Sequence, residues 1–240
     1  MGDVDISYRG GDDARSVADR LEELKEQGCV AVATGGVPTD AMQSVTRRMF
    51  GDPTLDRRRL FVTFGQVSRP ADWLPEDLTT DHETVVFRDR SDAARVATTQ
   101  SMEQDGRPGP PDAASFDPAK PHLDAVTGDV LDVADELPAR GPGRLRVVVL
   151  RPDHLLDERQ RGSAAPIEEF VDRLRILMQR FGGMGLLVVS KPDDDGLVEA
   201  LLDVVDLQFR VRKEWSFVEQ QVVIDPGARD PFTTGWHELP

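Results

Sequence analysis

The sequence contains very little lysine: only four of its 29 Lys and Arg residues are lysines. They stand against 44 Asp and Glu residues, and the formal net charge of the 240-residue chain is -15. Proteins that bind the nucleic-acid backbone usually present a basic face, so nucleic acid is not an expected partner. Arg57–Arg59, before a predicted strand, is the local exception. We interpret it as a solvated strand entry, with a nucleic-acid patch as the alternative.

An acidic, lysine-poor surface holds water and counter-ions, and it repels itself unless salt screens the charges. This composition therefore favours a halophilic protein, such as one from a haloarchaeal cytoplasm. A GC-rich genome is the alternative explanation, because it also favours Arg, Asp, Ala, Gly and Pro.

Cysteine and long hydrophobic segments are also scarce. Cys29 is the single cysteine, which excludes an internal disulfide framework and predicts reducing surroundings. No apolar run approaches the roughly 18 residues that a membrane-spanning helix needs. The first ten residues, "MGDVDISYRG", are polar and acidic, unlike a signal peptide. We expect a cytoplasmic protein without a membrane segment.

Apolar periodicity predicts alternating helices and strands. Buried strands are predicted at residues 29–34, 59–65, 83–89, 144–150 and 185–190. Helices are predicted at residues 16–28, 38–51, 122–137, 166–181 and 195–205. Residues 207–215 and 219–225 alternate with period two, as in an antiparallel pair. This order favours an α/β fold with a mainly parallel, doubly wound sheet flanked by helices and a C-terminal antiparallel strand pair.

One segment interrupts the alternation. Residues 104–121, "QDGRPGPPDAASFDPAKP", are dense in Pro, Gly and Asp and almost free of large apolar side chains. We interpret them as a flexible insertion. A domain boundary is the alternative, but the flanking segments continue one alternating pattern, so a single domain over residues 1–240 is expected.

The turn after the first strand is where many α/β proteins hold a nucleotide phosphate. A phosphate loop requires G-x-x-x-x-G-K-[ST]. Counting from Gly35, Asp40 and Ala41 occupy the places of the second glycine and the lysine, and counting from Gly36 fails as well. A carboxylate in the first turn of a helix gains about 0.3–1 kcal/mol from the helix dipole. Asp40 would repel a triphosphate by about 4 kcal/mol per charge pair at about 4 Å. We predict no conventional triphosphate site; a weak site of backbone groups is the residual alternative.

The second nucleotide signature is an apolar strand followed by a metal-holding acid. Residues 147–150, "VVVL", supply the strand, but Arg151 and Pro152 follow before Asp153. An arginine has the wrong charge for a magnesium site. Loss of both signatures is stronger evidence than loss of either one.

Other chemistry is weakly represented. The histidines lack metal-ligand spacing and are interpreted as surface or loop residues: His82, His122, His154 and His237. The cluster Asp153, His154 and Asp157 follows a strand, and residues 191–196, "KPDDDG", are interpreted as a capped, solvated helix start. We predict no catalytic residue, no metal site and no cofactor. The weak candidates for cofactor binding are Gly35, Gly36, Thr39, Asp153 and Lys191. Trp73, Trp215 and Trp236 could anchor a partner, although burial against the sheet is the preferred interpretation.

With these residues in view, the chain resembles a degenerate RecA/KaiC-like domain, and is similar to haloarchaeal KaiC-like proteins that lack the phosphate loop. The resemblance rests on "GCVAVATGGVPTDAMQSVTRRMFGDP", on "RRRLFVTFG" and on the run from "RLRVVVL" to "LLDVVDLQFRVR". It implies a RecA-type sheet derived from nucleotide hydrolases. Ala41 and Arg151 occupy the places of essential residues in active members, so no catalytic residue is carried over.

Two functions follow as expectations. The first is a non-catalytic regulatory or scaffold protein that has lost ATP binding and hydrolysis and contacts a protein partner or a second copy of itself. The alternative is a small-ligand or nucleotide-binding sensor, or an ATPase, that uses the crevice at the strand ends near Gly35, Asp153 and Lys191.

The acidic composition also predicts that stability depends on salt. Thermal unfolding followed by circular dichroism should give a melting temperature that rises with KCl concentration, because salt screens the self-repulsion of the surface. Full stability in dilute buffer would contradict the halophilic interpretation.

Overall fold

The computed structural model of the chain describes residues 12–92, 119–137, 141–155 and 165–239. Most of the predicted insertion, residues 104–118, lies outside the described residues. The remainder of that segment enters a helix, since Ala119 is buried and Lys120 is the first helical residue.

The described helices are α1 (Asp12–Gln27), α2 (Thr39–Phe50), α3 (Lys120–Asp135), α4 (Ala165–Phe181) and α5 (Gly196–Leu202). The described strands are β1 (Cys29–Thr34), β2 (Arg58–Thr63), β3 (Val85–Asp89), β4 (Leu145–Leu150), β5 (Met184–Val189), β6 (Leu207–Glu214), β7 (Phe217–Ile224), β8 (Phe232–Thr233) and β9 (His237–Glu238). Short 3-10 helices occupy Pro70–Trp73 and Pro152–Leu155. Each predicted element has a counterpart, with boundaries shifted by a few residues. Within the described residues no helix is long and apolar enough to cross a membrane.

The strands form one sheet in the order β3-β2-β4-β5-β1-β6-β7-β8, with β9 also paired to β7. All pairs from β3 to β6 are parallel, and β7 runs antiparallel to β6. Every residue of β1, β4 and β5 is buried. The prediction of a mostly parallel sheet flanked by helices, with an antiparallel pair at its C-terminal end, is therefore confirmed.

Helices cover both faces of this sheet. Helices α1 and α2 pack on one face, called here the α2 face, together with Phe61 and Val148. Helices α3, α4 and α5 pack on the other face, together with Val147 and Leu187. The connections from β1 to β2 and from β2 to β3 run towards one side of the sheet, and those from β3 to β6 run towards the other side. The two groups therefore lie on opposite faces, as they must when every crossover has the same handedness. The carboxyl ends of the parallel strands meet at one edge, and their amino ends meet at the other.

The interpretation of Arg57–Arg59 as a solvated strand entry is wrong for Arg59. The side chain of Arg59 is fully buried on the α2 face. Its nitrogens donate to the carbonyl oxygens of Phe50, Arg57 and Asp52 at 3.3, 3.2 and 2.7 Å, and to Thr84 Oγ1 at 3.2 Å. Burial, and after it the charge of Arg57, lowers the pKa of Arg59 to about 10. The arginine is buried because the chain from α2 to β2 wraps its carbonyls around the guanidinium, which sequence spacing cannot reveal.

The three tryptophans have different environments. Trp73 is buried, with its ring centroid 6.4 Å from that of Phe61. Trp236 is half-buried beneath the guanidinium of Arg212, which lies 4.0 Å from the ring centroid. Trp215 is 90 % exposed, so the interpretation of burial is wrong for this residue. It stands at the tip of the β6–β7 hairpin, and no element among the described residues covers it.

Candidate functional site

The carboxyl edge of the parallel sheet is the position at which doubly wound folds bind ligands. The strand ends are level there: Thr34 of β1 pairs with Val189 of β5, and Leu150 of β4 pairs with Val188. Gly35 and Lys191 therefore follow neighbouring strands. Asp153 follows β4, which is separated from β1 by β5. The structure brings Gly35 and Lys191 into contact and places Asp153 one strand further along.

Gly35 closes the turn that would bind a phosphate. Its N–H donates to the carbonyl oxygen of Lys191 at 2.7 Å. Its φ is 140°, and a β-carbon at this position would lie 2.1 Å from the carbonyl oxygen of Val211 in β6. Glycine is therefore required for close packing of the turn against β6. Its N–H already donates to Lys191, in the segment that follows β5, and does not point to a ligand.

The first turn of α2 contains a negatively charged side chain, that of Asp40. Thr39 and Asp40 are exposed in the first turn. Asp40 Oδ1 accepts the N–H of Ala41 at 2.9 Å. Gly36, the adjacent candidate, is exposed, and a β-carbon there would meet no atom within 4 Å. A carboxylate in this position interacts favourably with the helix dipole and disfavours a second anion.

Lys191 does not supply the missing positive charge to this turn. Its ammonium lies 2.7 Å from Asp195 Oδ2. The other carboxylate oxygen of Asp195 accepts the N–H of Leu197 at 3.0 Å and caps α5. The interpretation of residues 191–196 as a capped helix start is thus confirmed at Asp195.

Asp193, in the same segment, has a role that the sequence did not indicate. Its Oδ1 accepts hydrogen bonds from Thr34 Oγ1 at 2.7 Å and from Gln208 Nε2 at 2.9 Å. Its Oδ2 lies 2.8 Å from Arg210 Nε. Thr34 and Gln208 are buried, and Gln208 Nε2 also donates to Thr34 Oγ1 at 2.9 Å. This network ties the ends of β1 and β5 to β6. No spacing rule links residues 159 positions apart, so only the tertiary structure reveals it.

Arg151 directly follows β4, and its side chain covers the end of that strand. Arg151 has a φ of 58° and donates its backbone N–H to the carbonyl oxygen of Val188 at 2.9 Å. Its side chain crosses Gly65, where a β-carbon would lie 2.8 Å from Arg151 Cδ. His154 approaches the same point, with Cε1 at 3.4 Å. A guanidinium therefore occupies the place where a metal-holding acid would be needed.

Asp153 is half-buried beside this arginine. Its Oδ1 is buried and accepts no hydrogen bond from any described residue. Asp157, the third member of the predicted cluster, lies outside the described residues. Asp153 is thus a candidate whose buried carboxylate oxygen is available to accept a hydrogen bond from a ligand.

The histidines lie on separate elements. His82 precedes β3, where Nδ1 contacts Thr84 Oγ1 at 2.9 Å, and His122 lies in the first turn of α3. Burial lowers the pKa of His122, and the nearby Arg90 lowers it further. Among the residues that the structure describes, no group of three or more His, Cys, Asp and Glu side chains is placed to hold a metal ion.

The polar residues at the opposite, amino edge of the sheet were not predicted as site residues. Arg146 of β4 pairs across the sheet with Arg59 of β2, and both are buried on the α2 face. The signal was present: in "RLRVVVL" an arginine interrupts a strand that is otherwise apolar. A charged residue inside such a run requires either internal partners or a ligand.

The two glycines of the first turn provide a direct test of this description. Gly35→Ala should destabilise the fold by about 2 kcal/mol or more, because the added β-carbon strains the backbone and collides with the carbonyl of Val211. Gly36→Ala is the matched control and should stay within about 0.5 kcal/mol of the unaltered protein. Chemical denaturation measures both. Equal stability of the two variants would contradict a packing role for Gly35.

A model of a protein family of unknown function, DUF7504, matches residues 28–211. The match begins at the residue after α1, ends within β6 and includes both edges of the parallel sheet. A search of curated proteins finds no match to the chain. Because the family model matches more than half of the sequence, the chain belongs to the DUF7504 family of unknown function.

Proposed function

We propose that the protein is a non-catalytic regulatory or scaffold protein with a RecA/KaiC-like fold that has lost ATP binding and hydrolysis. The fold-level part is supported by the parallel sheet, the helices on both faces and the C-terminal antiparallel pair. The acidic composition supports a halophilic protein of the cytoplasm. Fold alone does not imply function, so the functional part depends on the first turn.

The observation that carries the proposal is the hydrogen bond from Gly35 N–H to the carbonyl oxygen of Lys191. A phosphate loop works because several N–H groups of a glycine-rich turn point at the same anion. Here the N–H of Gly35 donates to the carbonyl of Lys191, Asp40 stands at the helix terminus, and the ammonium of Lys191 is paired with Asp195. Each of these features weakens triphosphate binding, and they act together.

A contact function is supported by the tip of the β6–β7 hairpin. Glu214 pairs with Phe217, so Trp215 and Ser216 form a two-residue turn. Trp215 has a φ of 55°, a conformation that favours Gly or Asn in such turns. Trp215 is 90 % exposed and Phe217 is 54 % exposed. Aromatic side chains of this kind are enriched at protein interfaces, and here they offer an apolar contact to a second copy of the chain.

The alternative function is a small-ligand sensor at the strand-end crevice. The buried Oδ1 of Asp153, which accepts no hydrogen bond from the described residues, favours this alternative. Stabilisation of the protein by a metabolite or nucleotide in a thermal-shift screen, lost in Asp153→Ala, would support it over the scaffold function.

The first test is titration calorimetry with Mg-ATP in molar KCl. No saturable binding in the micromolar range is expected, because the first turn supplies a negative side chain, lacks a lysine and has its leading N–H engaged. Micromolar binding at this turn would overturn the proposal.

The variant Asp40→Asn separates the effect of charge repulsion by Asp40 from the effect of the engaged N–H of Gly35. It removes the repulsive charge and leaves the bond between Gly35 and Lys191 in place. We expect Asp40→Asn to remain without micromolar binding. Recovery of tight ATP binding would show that repulsion alone excludes the nucleotide and that the backbone site is intact.

The second test addresses self-association. In sedimentation velocity at molar KCl, the unaltered protein should form dimers or larger species at high concentration, and Trp215→Ser should weaken them by about tenfold or more. Ile176→Ser is the matched control, since Ile176 is 63 % exposed on α4, away from the hairpin. A monomer at all concentrations, or an equal effect of the two variants, would count against the hairpin as a contact surface.

A further inference from the structure

A cavity of about 560 Å³ lies on the α2 face, near the amino ends of the strands. Helices α1 and α2 form its walls, through residues that include Leu21 and Met49. Strands β4, β5 and β6 form its floor, through Arg146, Met184 and Leu207. This volume lies within the range of about 300–1,000 Å³ that is typical of small-molecule sites. The cavity is at the opposite edge of the sheet from Gly35, Asp153 and Lys191.

The charge of the lining is opposite to that of the whole chain. Five cationic side chains line the cavity, against three carboxylates. The cationic residues are Lys25, Arg47, Arg48, Arg57 and Arg146, and the acidic residues are Glu22, Asp52 and Glu76. The acidic excess of the chain, with a formal net charge of -15, makes a positively charged lining a specific local feature.

Within the described residues, the acidic residues form no ion pair with Arg48, Arg57 or Arg146, although the charge of Asp52 partly offsets the effect of burial on the pKa of Arg57. Glu22 pairs with Lys25 at 3.3 Å. Asp52 Oδ1 accepts hydrogen bonds from the backbone N–H and the hydroxyl of Thr54 at 2.8 and 2.7 Å. Within the described residues, Arg48, Arg57 and Arg146 form no ion pair. Burial lowers the pKa of Arg48 and of Arg57, which indicates that their charges are partly removed from water.

Arg146 is the centre of this cluster. It is only 6 % exposed, yet its Nε and Nη1 donate no hydrogen bond to any residue that the structure describes. Its cross-strand neighbour Arg59 is also buried, but the nitrogens of Arg59 are engaged by three carbonyl oxygens and a hydroxyl. Burial lowers the pKa of Arg146 to about 10, with repulsion from Arg57 as the next cause. A buried, unpaired guanidinium is costly, and an anion in the cavity would relieve that cost.

We infer that this cavity is a binding site for a small organic anion, a carboxylate or phosphate carried on an apolar body, with Arg146 and Arg57 holding the anionic group. A guanidinium matches both anions, since its fork of N–H donors can bind two oxygens at once. Leu21, Met49 and Phe209 give the remainder of the cavity an apolar lining that suits a hydrocarbon or aromatic body. An inorganic ion alone would leave most of this volume unfilled. The inference is independent of the loss of ATP binding, which concerns the other edge of the sheet.

The test uses the full chain at constant KCl concentration and four probes: octanoate, 1-octanol, phenyl phosphate and inorganic phosphate. Titration calorimetry and thermal shift are the measurements. Octanoate should bind at least about tenfold more tightly than 1-octanol, because a charge-assisted bidentate contact is lost in the alcohol. Phenyl phosphate should bind about tenfold more tightly than inorganic phosphate, because its ring is buried in the cavity.

Arginine-to-methionine variants test which residues bind the anionic group. Arg146→Met should reduce octanoate affinity by about tenfold or more and should raise the melting temperature, because an unpaired buried charge is replaced by an apolar side chain of similar length. A merely structural arginine behaves oppositely: Arg59→Met should lower the melting temperature, since several carbonyls lose their donors. Arg57→Met should weaken octanoate binding in the same sense. Arg69→Met, at an exposed position outside the cavity, should leave affinity and stability unchanged.

Three results would overturn the inference: no binding of octanoate or phenyl phosphate, equal affinity for octanoate and 1-octanol, or unchanged octanoate affinity in Arg146→Met. If Arg146→Met does not fold, Arg57→Met decides in its place. ATP is itself an organic anion, so any ATP binding is measured again in Arg146→Met. Binding lost in that variant lies in the cavity and leaves the proposal about the first turn standing, whereas binding retained there lies elsewhere and challenges that proposal.

Discussion

Burial of the parallel sheet on both faces is the constraint on which the rest of this structure depends. Strands β1, β4 and β5 are buried along their whole length, so their backbone groups must bond within the sheet and their side chains are mostly apolar. Polar chemistry is confined to the strand ends. The protein therefore has two edges at which a site can form, and the two edges differ in how completely their polar groups are satisfied.

At the carboxyl edge, the polar groups mostly bond to each other. Gly35 binds the carbonyl of Lys191, Asp193 holds Thr34 and Gln208, and Lys191 is paired with Asp195. These contacts hold neighbouring strand ends together. They also engage the hydrogen-bond donors that a phosphate would require. At the amino edge the arrangement is reversed. Arg146 is buried with two donor nitrogens that bond to no described residue, in a cavity whose lining is cationic. A buried polar group without a partner requires an explanation, and for Arg146 the surrounding cavity makes a ligand the explanation that we infer.

Much of the fold could be predicted from the sequence, because apolar periodicity records which faces of each element are buried. The continuous runs at β1, β4 and β5 predicted buried parallel strands, and the alternation at the C-terminus predicted the pair β6 and β7. The candidate site was less predictable. The absence of lysine from the first turn and the position of Asp40 are local features and were visible in the sequence. The burial of Arg59 was not, since it depends on carbonyls from the α2–β2 connection, and neither was the exposure of Trp215.

The sequence by itself determined the class of fold, the lack of a phosphate-loop motif and the acidic character of the chain, because these follow from residue type and local spacing. Only the tertiary structure decided where the polar residues find partners. Thr34 and Asp193 meet because β1 and β5 are neighbours, and Arg146 faces a cavity because β4 carries it beneath α1 and α2. A hydrogen bond or a cavity requires atoms from distant segments within a few ångströms, and sequence spacing does not encode that distance when the segments belong to different strands.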